Sequence, residues 1–395
     1  MKKLAIIVSH PVQYYAPVFR LLTSRGLVNL RVFYTWGEKA VTKHDPGFSK
    51  TFAWDIPLLD GYAYEWVINT AADPGSHHFN GIVNPKLIAS IDRFAPDALL
   101  VFGWAYRSHL RVLCHYHGRI PIYFRGDSTL LDESGSVIKR QLKTFWLKWV
   151  YRHIDHAFFV GTNNKAYFRK YGLQETQLSF APHAVDNERF GKFAGEAVKK
   201  IRDAAGVPED NILILFAGKF ENKKSPELLM DAFLTLSGNN CHLLFAGSGP
   251  LETLLRQKAT GKQHIKFMDF QNQSGMPALY QACDVFCLPS GGPAETWGLA
   301  VNEAMACGKP VVVSNKVGCA ADLVTVANGG VFESGSTASL LNIFNNLLVN
   351  RKMLKLYGER SAQIIKDWNF AAFAEAIEKK IGVDPVSSAN LDKKR

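Results

Sequence analysis

The chain has 395 residues, of which 47% are hydrophobic and 21% charged, and this composition excludes disordered, collagen-like and low-complexity proteins. At ~100–200 residues per domain, the length predicts two domains. The net charge is +11, and most of the excess lies in residues 1–190, which hold 23 basic and 15 acidic side chains. We therefore expect an anionic partner on the N-terminal side: a phosphorylated substrate, an anionic lipid surface or a nucleic acid.

Short apolar runs rich in valine, isoleucine and phenylalanine alternate with segments of helical period, a pattern typical of parallel β-α-β units. A first series predicts strands at residues 3–9, 30–35, 98–104, 121–125 and 157–161. A second series predicts strands at residues 212–218, 242–247, 265–268, 284–290 and 310–314. The expected fold class is therefore α/β, with two doubly wound Rossmann-like domains.

Changes in composition along the chain predict the domain boundaries. Residues 1–190 form the expected N-terminal domain, the polar stretch 191–210 a hinge, and residues 211–367 the C-terminal domain. A helix is expected over residues 368–381. The polar residues 382–395 are predicted to form a disordered tail.

One amphipathic segment, residues 136–154, lies within the first series of strands. Its apolar residues recur at helical spacing beside five lysines and arginines, and it contains no acidic residue. Such a helix can lie in the headgroup layer of an anionic membrane; the alternative is a core-packing helix with a solvated basic face. Six of the eight tryptophans also lie in residues 1–150, where sugar stacking, lipid contact and core packing remain open.

The cysteines and the N-terminus indicate the compartment. The six cysteines are scattered and mostly lie in apolar runs, which predicts buried thiols in a reducing environment. The apolar stretch near Met1 is five residues long, whereas a signal peptide needs ~7–15. No run approaches the ~18 apolar residues of a membrane-spanning helix. We expect a cytoplasmic protein, with peripheral association at the inner face of the membrane as a hypothesis.

Two local motifs are rejected. Gly247 and Gly249 follow a predicted strand, but Glu252 occupies the third glycine position of the dinucleotide fingerprint, which argues against a dehydrogenase and favours a tight β-α turn. The histidine-containing tracts 77–78 and 114–117 have no second cluster to complete a zinc site, so no metal is expected.

The stretch 283–313 is the most informative. A predicted strand is followed by a glycine-rich loop, and a helix is expected from about Gly298 to Cys307. The first backbone N–H groups of this helix form a site suited to a diphosphate. Glu303 has apolar neighbours, and a buried carboxylate needs a partner. Two adjacent ribose hydroxyls supply one; the alternative is a solvated surface acid.

Residues 295–303, Glu-Thr-Trp-Gly-Leu-Ala-Val-Asn-Glu, resemble the Glu-x7-Glu donor motif of the retaining family-4 glycosyltransferases of GT-B fold. The stretch 303–312 matches the family's Glu-Ala-Met-Ala-Cys-Gly-x-Pro-Val-Val, and the similarity extends over roughly 207–335. The resemblance implies a nucleotide-diphosphate sugar donor such as a UDP-sugar, transfer to an acceptor hydroxyl with retention of configuration, and no cofactor or metal. It also implies that the final helix crosses back to the N-terminal domain.

The resemblance implies catalytic roles for Lys219, Lys224 and Glu295. The two lysines fall on the family's phosphate-binding Arg and Lys, and a lysine at 219 lacks the planar fork of arginine. Glu295 is expected to hold a donor-sugar hydroxyl and Glu303 the ribose. The implied donor site comprises Gly218, Lys219, Lys224, Glu295, Thr296, Trp297, Gly298, Leu299 and Glu303.

The N-terminal half resembles the family less. His10 and Gln13 lie where the family has a Gly-Gly loop, and Arg125 and Asp127 lie where it has a histidine. Because ligands of open α/β sheets bind at the carboxyl ends of strands, we expect these four residues on the acceptor side. For His10 and Asp127, an ordinary loop or core position is the alternative.

The resulting hypothesis is a retaining glycosyltransferase in polysaccharide, lipopolysaccharide or other glycoconjugate assembly, with a carbohydrate or lipid-linked acceptor. A GT-B-fold nucleotide-sugar epimerase or a phosphorylase-like enzyme is the alternative among enzymes. A basic membrane- or nucleic-acid-binding module is the alternative from another class. No recognition-helix, zinc or RNA-binding signature accompanies the charge, so no nucleic-acid partner is expected.

Overall fold

The computed structural model describes residues 1–41, 43–45, 50–131, 133, 135–236, 240–293, 295–349 and 351–382. The chain forms two compact units. Unit 1 comprises Met1–Lys43, Pro57–His183 and the residues from Phe370 onward, and unit 2 comprises His44–Ile56 and Ala184–Asn369. Apart from residue 382, the predicted tail lies outside the described residues.

Each unit is built on one large parallel sheet. The strands of the first half are β1 Lys2–Val8, β2 Val28–Tyr34, β3 Lys43–Asp45, β4 Lys50–Phe52, β5 Tyr64–Trp66, β6 Ala98–Phe102, β7 Ile122–Arg125, β8 His156–Phe159 and β9 Leu178–Phe180. Those of the second half are β10 Ile212–Ala217, β11 Cys241–Ala246, β12 Ile265–Met268, β13 Val285–Leu288, β14 Val311–Ser314 and β15 Gly329–Phe332.

The sheet of unit 1 has the order β5-β2-β1-β6-β7-β8-β9, and that of unit 2 has the order β12-β11-β10-β13-β14-β15. Neighbouring strands are parallel in both sheets. Strands β3 and β4 pair with each other in a separate small sheet. The prediction of two doubly wound α/β domains is confirmed.

Helices cover the faces of both sheets. They are α1 Ala16–Arg25, α2 Leu87–Phe94, α3 Arg107–Tyr116, α4 Val137–Tyr151, α5 Thr162–Lys170, α6 Asn187–Gly191, α7 Gly195–Ala204, α8 Pro226–Thr235, α9 Glu252–Lys258, α10 Met276–Ala282, α11 Leu299–Ala306, α12 Ala320–Leu323, α13 Thr337–Leu347, α14 Arg351–Ile365 and α15 Phe370–Ile381. No helix among the described residues is long and apolar enough to cross a bilayer.

The central strands are buried along their length. All six residues of β10, Ile-Leu-Ile-Leu-Phe-Ala, are buried, as are the last five of β1. Near-continuous apolar runs are expected of strands that are covered by helices on both faces. This burial explains why hydrophobic runs in the sequence located the central strands.

The C-terminal helix α15 belongs to unit 1. Its residues Phe373, Ala374 and Ile377 are part of a core cluster that includes residues of β1, β2 and β6. The Arg25 guanidinium donates to the buried Glu378 carboxylate at 2.8 Å. Helix α15 therefore completes the core of the unit that also contains β1.

The stretch expected as a hinge, 191–210, lies in unit 2, and half of it is the helix α7. The two units divide earlier in the chain, between His183 and Ala184. Helix α7 packs against α10, and its residues are half-buried or exposed.

Candidate functional site

The strand order of unit 2 reverses between β10 and β13. Ligands of open α/β sheets bind outside the carboxyl ends of the strands at such a switch point. Lys219 lies in the loop after β10, and Glu295 lies in the loop after β13. The topology therefore assigns two of the predicted site residues to the two loops that flank the switch point.

The loop after β10 packs closely on the loop after β11. The Gly218 N–H donates to the Ala246 carbonyl at 3.0 Å. A Cβ atom at Gly247 would lie 2.0 Å from the Gly218 carbonyl oxygen, so only glycine fits there. Gly247 thus allows the loop after β11 to approach the loop after β10 closely. Gly218 and Lys219 are both half-buried at this edge of the sheet.

Lys224 and Glu295, 71 residues apart in sequence, form an ion pair. The Ser290 hydroxyl donates to the same carboxylate oxygen, Oε2, at 2.7 Å. Glu295 is buried, and the Gly291 N–H donates to the Lys223 carbonyl at 2.9 Å, which ties the two loops together. The carboxylate is therefore held by a cation and a hydroxyl at the switch point.

The backbone from Glu295 to Trp297 is held by the loop after β14. The Gly318 N–H donates to the Glu295 carbonyl at 3.0 Å, and the Cys319 N–H donates to the Trp297 carbonyl at 2.9 Å. A Cβ atom at Gly318 would lie 1.8 Å from the Thr296 carbonyl oxygen. The path of this loop depends on a glycine that is distant in sequence.

Helix α11 begins at Leu299, after Gly298 at φ +92°, as the sequence predicted within one residue. Glu303 on this helix is only 3% exposed, which excludes the solvated surface acid. The Tyr280 hydroxyl of α10 donates to Glu303 Oε2 at 2.8 Å. Thr296 and Leu299 are half-buried, and the first N–H groups of the helix have no intrahelical acceptor.

Trp297 is buried in unit 2 rather than presented to solvent. Its indole N–H donates to the Asn302 side-chain oxygen at 2.9 Å, and its ring centroid lies 5.1 Å from that of Trp368. The side chain therefore anchors the loop. Any contact of residue 297 with a ligand would involve its backbone.

In unit 1, two of the predicted acceptor-side residues lie at the carboxyl end of β1. His10 is half-buried; its Nδ1 lies 2.9 Å from the Ser9 hydroxyl, and its ring centroid lies 5.3 Å from that of Trp36. Gln13 is half-buried in the turn before α1. Both residues therefore stand where the switch-point rule applied to unit 1 would place a ligand.

Arg125 has a different position from the one expected. It is 1% exposed, and it donates to the Ala181 and Pro182 carbonyls at 2.7 and 3.1 Å. Its guanidinium lies 3.9 Å from the ring centroid of Phe373 in α15, and burial lowers the pKa of Arg125 to about 10. The structure buries this side chain in unit 1 instead of bringing it to the surface.

Asp127 is partly exposed, and its carboxylate lies 3.8 Å from His183 Nε2. Burial lowers the pKa of His183, although the neighbouring carboxylate acts in the opposite direction. The pair therefore combines a partly exposed carboxylate with a buried imidazole. Sequence reasoning identified Asp127 and had no means of pairing it with a residue 56 positions later.

Sequence reasoning also missed residues that support the site. They are Tyr280, Ser290, Asn302 and Gly318. Ser290 is five residues before Glu295, and its place at the end of a buried strand was a usable signal. The other contacts cross from one element to another, so no fixed spacing could have indicated Tyr280 or Gly318.

Two further groups of side chains are the cysteines and a cluster of possible metal ligands. The six cysteines are free; Cys114 is exposed and the others are buried or half-buried. Burial raises the pKa of Cys283 to about 12, which removes thiolate character at neutral pH. Among the described residues, the group that could hold a metal ion is Asp73, His77 and His78, on the surface of unit 1.

Residues 197–364 match the family model for glycosyl transferases group 1. A phosphatidyl-myo-inositol mannosyltransferase of Mycobacterium leprae is 29% identical over 176 residues, 44% of this chain and 47% of that protein. The sulfoquinovosyl transferase SQD2 of Arabidopsis thaliana is 24% identical over 315 residues, 75% of this chain and 59% of that protein. The chain thus spans about half the length of these curated relatives.

Solved structures resemble the whole chain. Anabaena Alr3699/HepE in complex with UDP and glucose has a TM-score of 0.71 at 19% identity, and the similarity covers 96% of this chain and 99% of that one. The chain therefore has the GT-B fold, and the part that matches the glycosyl transferases group 1 model, residues 197–364, is somewhat less than half of its length. That region contains the loops after β10 and β13 and the helix α11.

Proposed function

We propose that this protein is a retaining glycosyltransferase that moves a sugar from a nucleotide-diphosphate sugar to an acceptor hydroxyl. The observation that carries the proposal is the cluster of Lys224, Glu295 and Ser290 at the switch point of unit 2. Its location in the group 1 region supports the proposal.

The donor is held by cations and by backbone groups. Lys219, Lys224 and the first N–H groups of α11 bind the diphosphate. A lysine ammonium has three N–H donors, and Glu295 accepts from one of those of Lys224. The ammonium can therefore keep its carboxylate partner while it binds a phosphate oxygen.

The ribose is held by Glu303, whose carboxylate accepts from two adjacent hydroxyls. The Tyr280 hydroxyl fixes the orientation of that carboxylate. The Anabaena structure contains UDP and glucose, which supports UDP-sugars as the first donors to test.

Chemistry begins when the bond between the sugar and the diphosphate breaks. Negative charge then develops on the leaving phosphate, and Lys219 and Lys224 stabilise it without reorganisation because they are already in place. Glu295 holds a hydroxyl of the donor sugar. The leaving phosphate helps to deprotonate the acceptor, which attacks from the same face and retains the configuration. The lysines supply the positive charge, so no metal is required.

The acceptor is bound by unit 1. His10, Gln13 and Asp127 are the residues proposed to contact it, whereas Arg125 is buried in the core. The Mycobacterium leprae relative is named for phosphatidyl-myo-inositol, which supports a lipid-linked acceptor in glycoconjugate assembly. We place the reaction in the cytoplasm, at the inner face of a membrane.

The proposal is tested with a panel of UDP-, GDP- and ADP-sugars, by measuring nucleotide release with and without carbohydrate and lipid-linked acceptors. A glycosyltransferase releases nucleotide in an acceptor-dependent manner and yields a product whose anomeric configuration, read by NMR, is that of the donor. Interconversion of nucleotide sugars without transfer would instead establish an epimerase. Product of the opposite configuration would refute retention.

A further inference from the structure

The N-terminal part of helix α4 stands out from unit 1. Of the ten residues from Val137 to Trp146, nine are exposed and only Thr144 is half-buried. At 1.5 Å per residue, this part is ~15 Å long. The buried residues of α4, Leu147, Val150 and Tyr151, all lie in its last turns. The helix is therefore anchored at its C-terminal end.

The exposed part has two different faces. Ile138, Leu142 and Phe145 follow one another at intervals of four and three residues, so they lie on one side of the helix. Their side chains are 69%, 66% and 77% exposed. Lys139 lies ~100° around the helix from Ile138, on the flank of this line. Arg140 lies ~200° around the helix from Ile138, on the opposite side.

Large apolar side chains make up half of the exposed part of α4. They are Val137, Ile138, Leu142, Phe145 and Trp146. Val137 and Trp146 lie on the two flanks of the line formed by the other three. Contiguous apolar surface on a folded protein marks a site of contact with another molecule or a membrane.

The charge of the segment identifies that contact. The range 136–154 contains five lysines and arginines and no acidic residue. A second copy of the chain placed face to face would bring two basic, acid-free helices together, and like charges oppose such a contact. An anionic lipid surface suits both features, because its acyl chains accept the apolar side chains and its negative charge attracts the lysines and arginines of the helix.

We propose that this part of α4 binds an anionic membrane surface. We call it the α4 face; it comprises Ile138, Lys139, Leu142, Phe145 and Trp146. The apolar side chains enter the boundary between headgroups and acyl chains, and Lys139 on the flank contacts lipid phosphates. Arg140, on the opposite side, contributes through its longer-range attraction to the anionic surface. Trp146 suits the interfacial layer, where an aromatic ring has one apolar and one wet side.

The point at which α4 begins relates the α4 face to the proposed acceptor side of unit 1. Helix α4 follows β7, so it begins at the carboxyl edge of the unit 1 sheet, the edge at which His10 and Asp127 also lie. Docking of the α4 face brings this edge toward the headgroups. This consequence for the acceptor rests on the proposed function, whereas membrane binding itself does not.

The test is sedimentation of the full chain with vesicles of phosphatidylcholine alone and of phosphatidylcholine mixed with phosphatidylglycerol. We expect binding to the anionic vesicles only, weakened by salt. The variants Leu142→Ser/Phe145→Ser and Lys139→Glu/Arg140→Glu should each lower the partition coefficient by ~10-fold or more. All four side chains are exposed, so thermal unfolding should not change.

Matched control variants distinguish a specific role of the α4 face from effects of exposed apolar area or net charge in general. Phe193→Ser removes an apolar side chain that is 83% exposed in unit 2. Lys262→Glu/Lys355→Glu changes the net charge by the same amount as Lys139→Glu/Arg140→Glu, at exposed positions of unit 2. Both control variants should bind vesicles like the parent protein. In vesicles with brominated acyl chains, the quenching of tryptophan emission should fall in Trp146→Phe.

Failure of the parent protein to sediment with anionic vesicles would overturn the proposal. So would equal losses in the control variants, or a concentration-dependent dimer that Phe145→Ser abolishes. None of these measurements uses a donor or an acceptor. A negative result in the vesicle assay and a negative result in the nucleotide-release assay are therefore independent.

Discussion

At the scale of single residues, the proposed donor side of the site contains two carboxylates that are each held by hydrogen-bond or ion-pair partners. Glu295 accepts from Lys224 and Ser290, and Glu303 accepts from Tyr280. Both carboxylates are largely buried, and a buried charge is tolerated only when it is paired or hydrogen-bonded. These partners keep the carboxylates oriented before a ligand arrives.

Removal of a preorganised charge should affect turnover strongly. We expect Lys224→Ala and Glu303→Gln each to lower nucleotide release by ~100-fold or more, the size typical of losing one preorganised group in an active site. The adjacent Lys223→Ala is the matched control, because its ammonium pairs with Glu221 at 3.3 Å. Near-parental rates in Lys224→Ala would contradict its role.

Tyr280 should act through Glu303 rather than on the ligand. We expect Tyr280→Phe to raise the donor KM by ~10-fold, the value for a hydrogen bond to a charged group, with little change in kcat, because the ribose is remote from the breaking bond. A donor with 2′-deoxyribose gives the decisive readout. If Tyr280 orients Glu303 toward the ribose hydroxyls, the parent protein and the variant should differ much less with this donor.

At the scale of elements, loops fix the site and glycines allow the loops to approach one another. Gly247 lets the loop after β11 reach the loop after β10, and Gly318 lets the loop after β14 reach Thr296. Gly298, at positive φ, starts α11 in the required direction. Each contact joins neighbouring βα units of the same sheet.

Substitution of Gly318 should disturb the donor loop specifically. A methyl group in Gly318→Ala would lie 1.8 Å from the Thr296 carbonyl, and overpacking of this kind costs ~1–3 kcal/mol. We expect a lower Tm together with a loss of nucleotide release. Gly191→Ala is the control, since its new methyl group would meet its nearest neighbour at 3.5 Å. Unchanged Tm and activity in Gly318→Ala would show that the loop can shift freely.

At the scale of the whole molecule, unit 1 depends on both ends of the chain. Helix α15 supplies Phe373 to its core, where the ring lies against Arg125. Arg125 in turn donates to the Ala181 carbonyl just after β9. One buried cation thus connects the C-terminal helix with the last strand of the sheet.

The pH dependence of stability should reflect His109 in unit 1. Its Nε2 lies 2.8 Å from the Thr35 hydroxyl, and burial lowers the pKa of His109 from 6.5 to about 4. The unfolded chain binds a proton at a higher pH than the folded protein. The stabilisation from the neutral ring is therefore complete above pH 6.5 and is lost as the pH falls toward 4.

Thermal unfolding between pH 7 and pH 4 checks this assignment. We expect the Tm of the parent protein to fall as the pH is lowered across this window. The dependence of Tm on pH should be shallower in His109→Gln, whatever the difference in Tm between the two proteins at pH 7. His77→Gln, at an exposed position, should keep the parental slope. Parallel curves for the parent protein and His109→Gln would contradict the assignment.

Much of the fold could be predicted from local pattern. Each of the ten strands expected from apolar runs overlaps an observed strand, because the central strands of a parallel sheet are buried on both faces. Of the five strands that were missed, β3 and β4 form the separate small sheet. The other three, β5, β9 and β15, are at edges of the large sheets and are mostly half-exposed or exposed. Their residues lack the continuous apolar signal on which the prediction depended.

The sequence by itself determined the fold class, the helix after Gly298 and the spacing of Glu295 and Glu303, because burial periodicity and motif spacing are local properties of the chain. Only the tertiary structure decided that Lys224 meets Glu295, that Tyr280 holds Glu303, that Arg125 is buried, and that the apolar side of α4 faces solvent. These facts depend on strand order and on which face of each helix is covered, and both are set by packing between segments that are far apart in the chain.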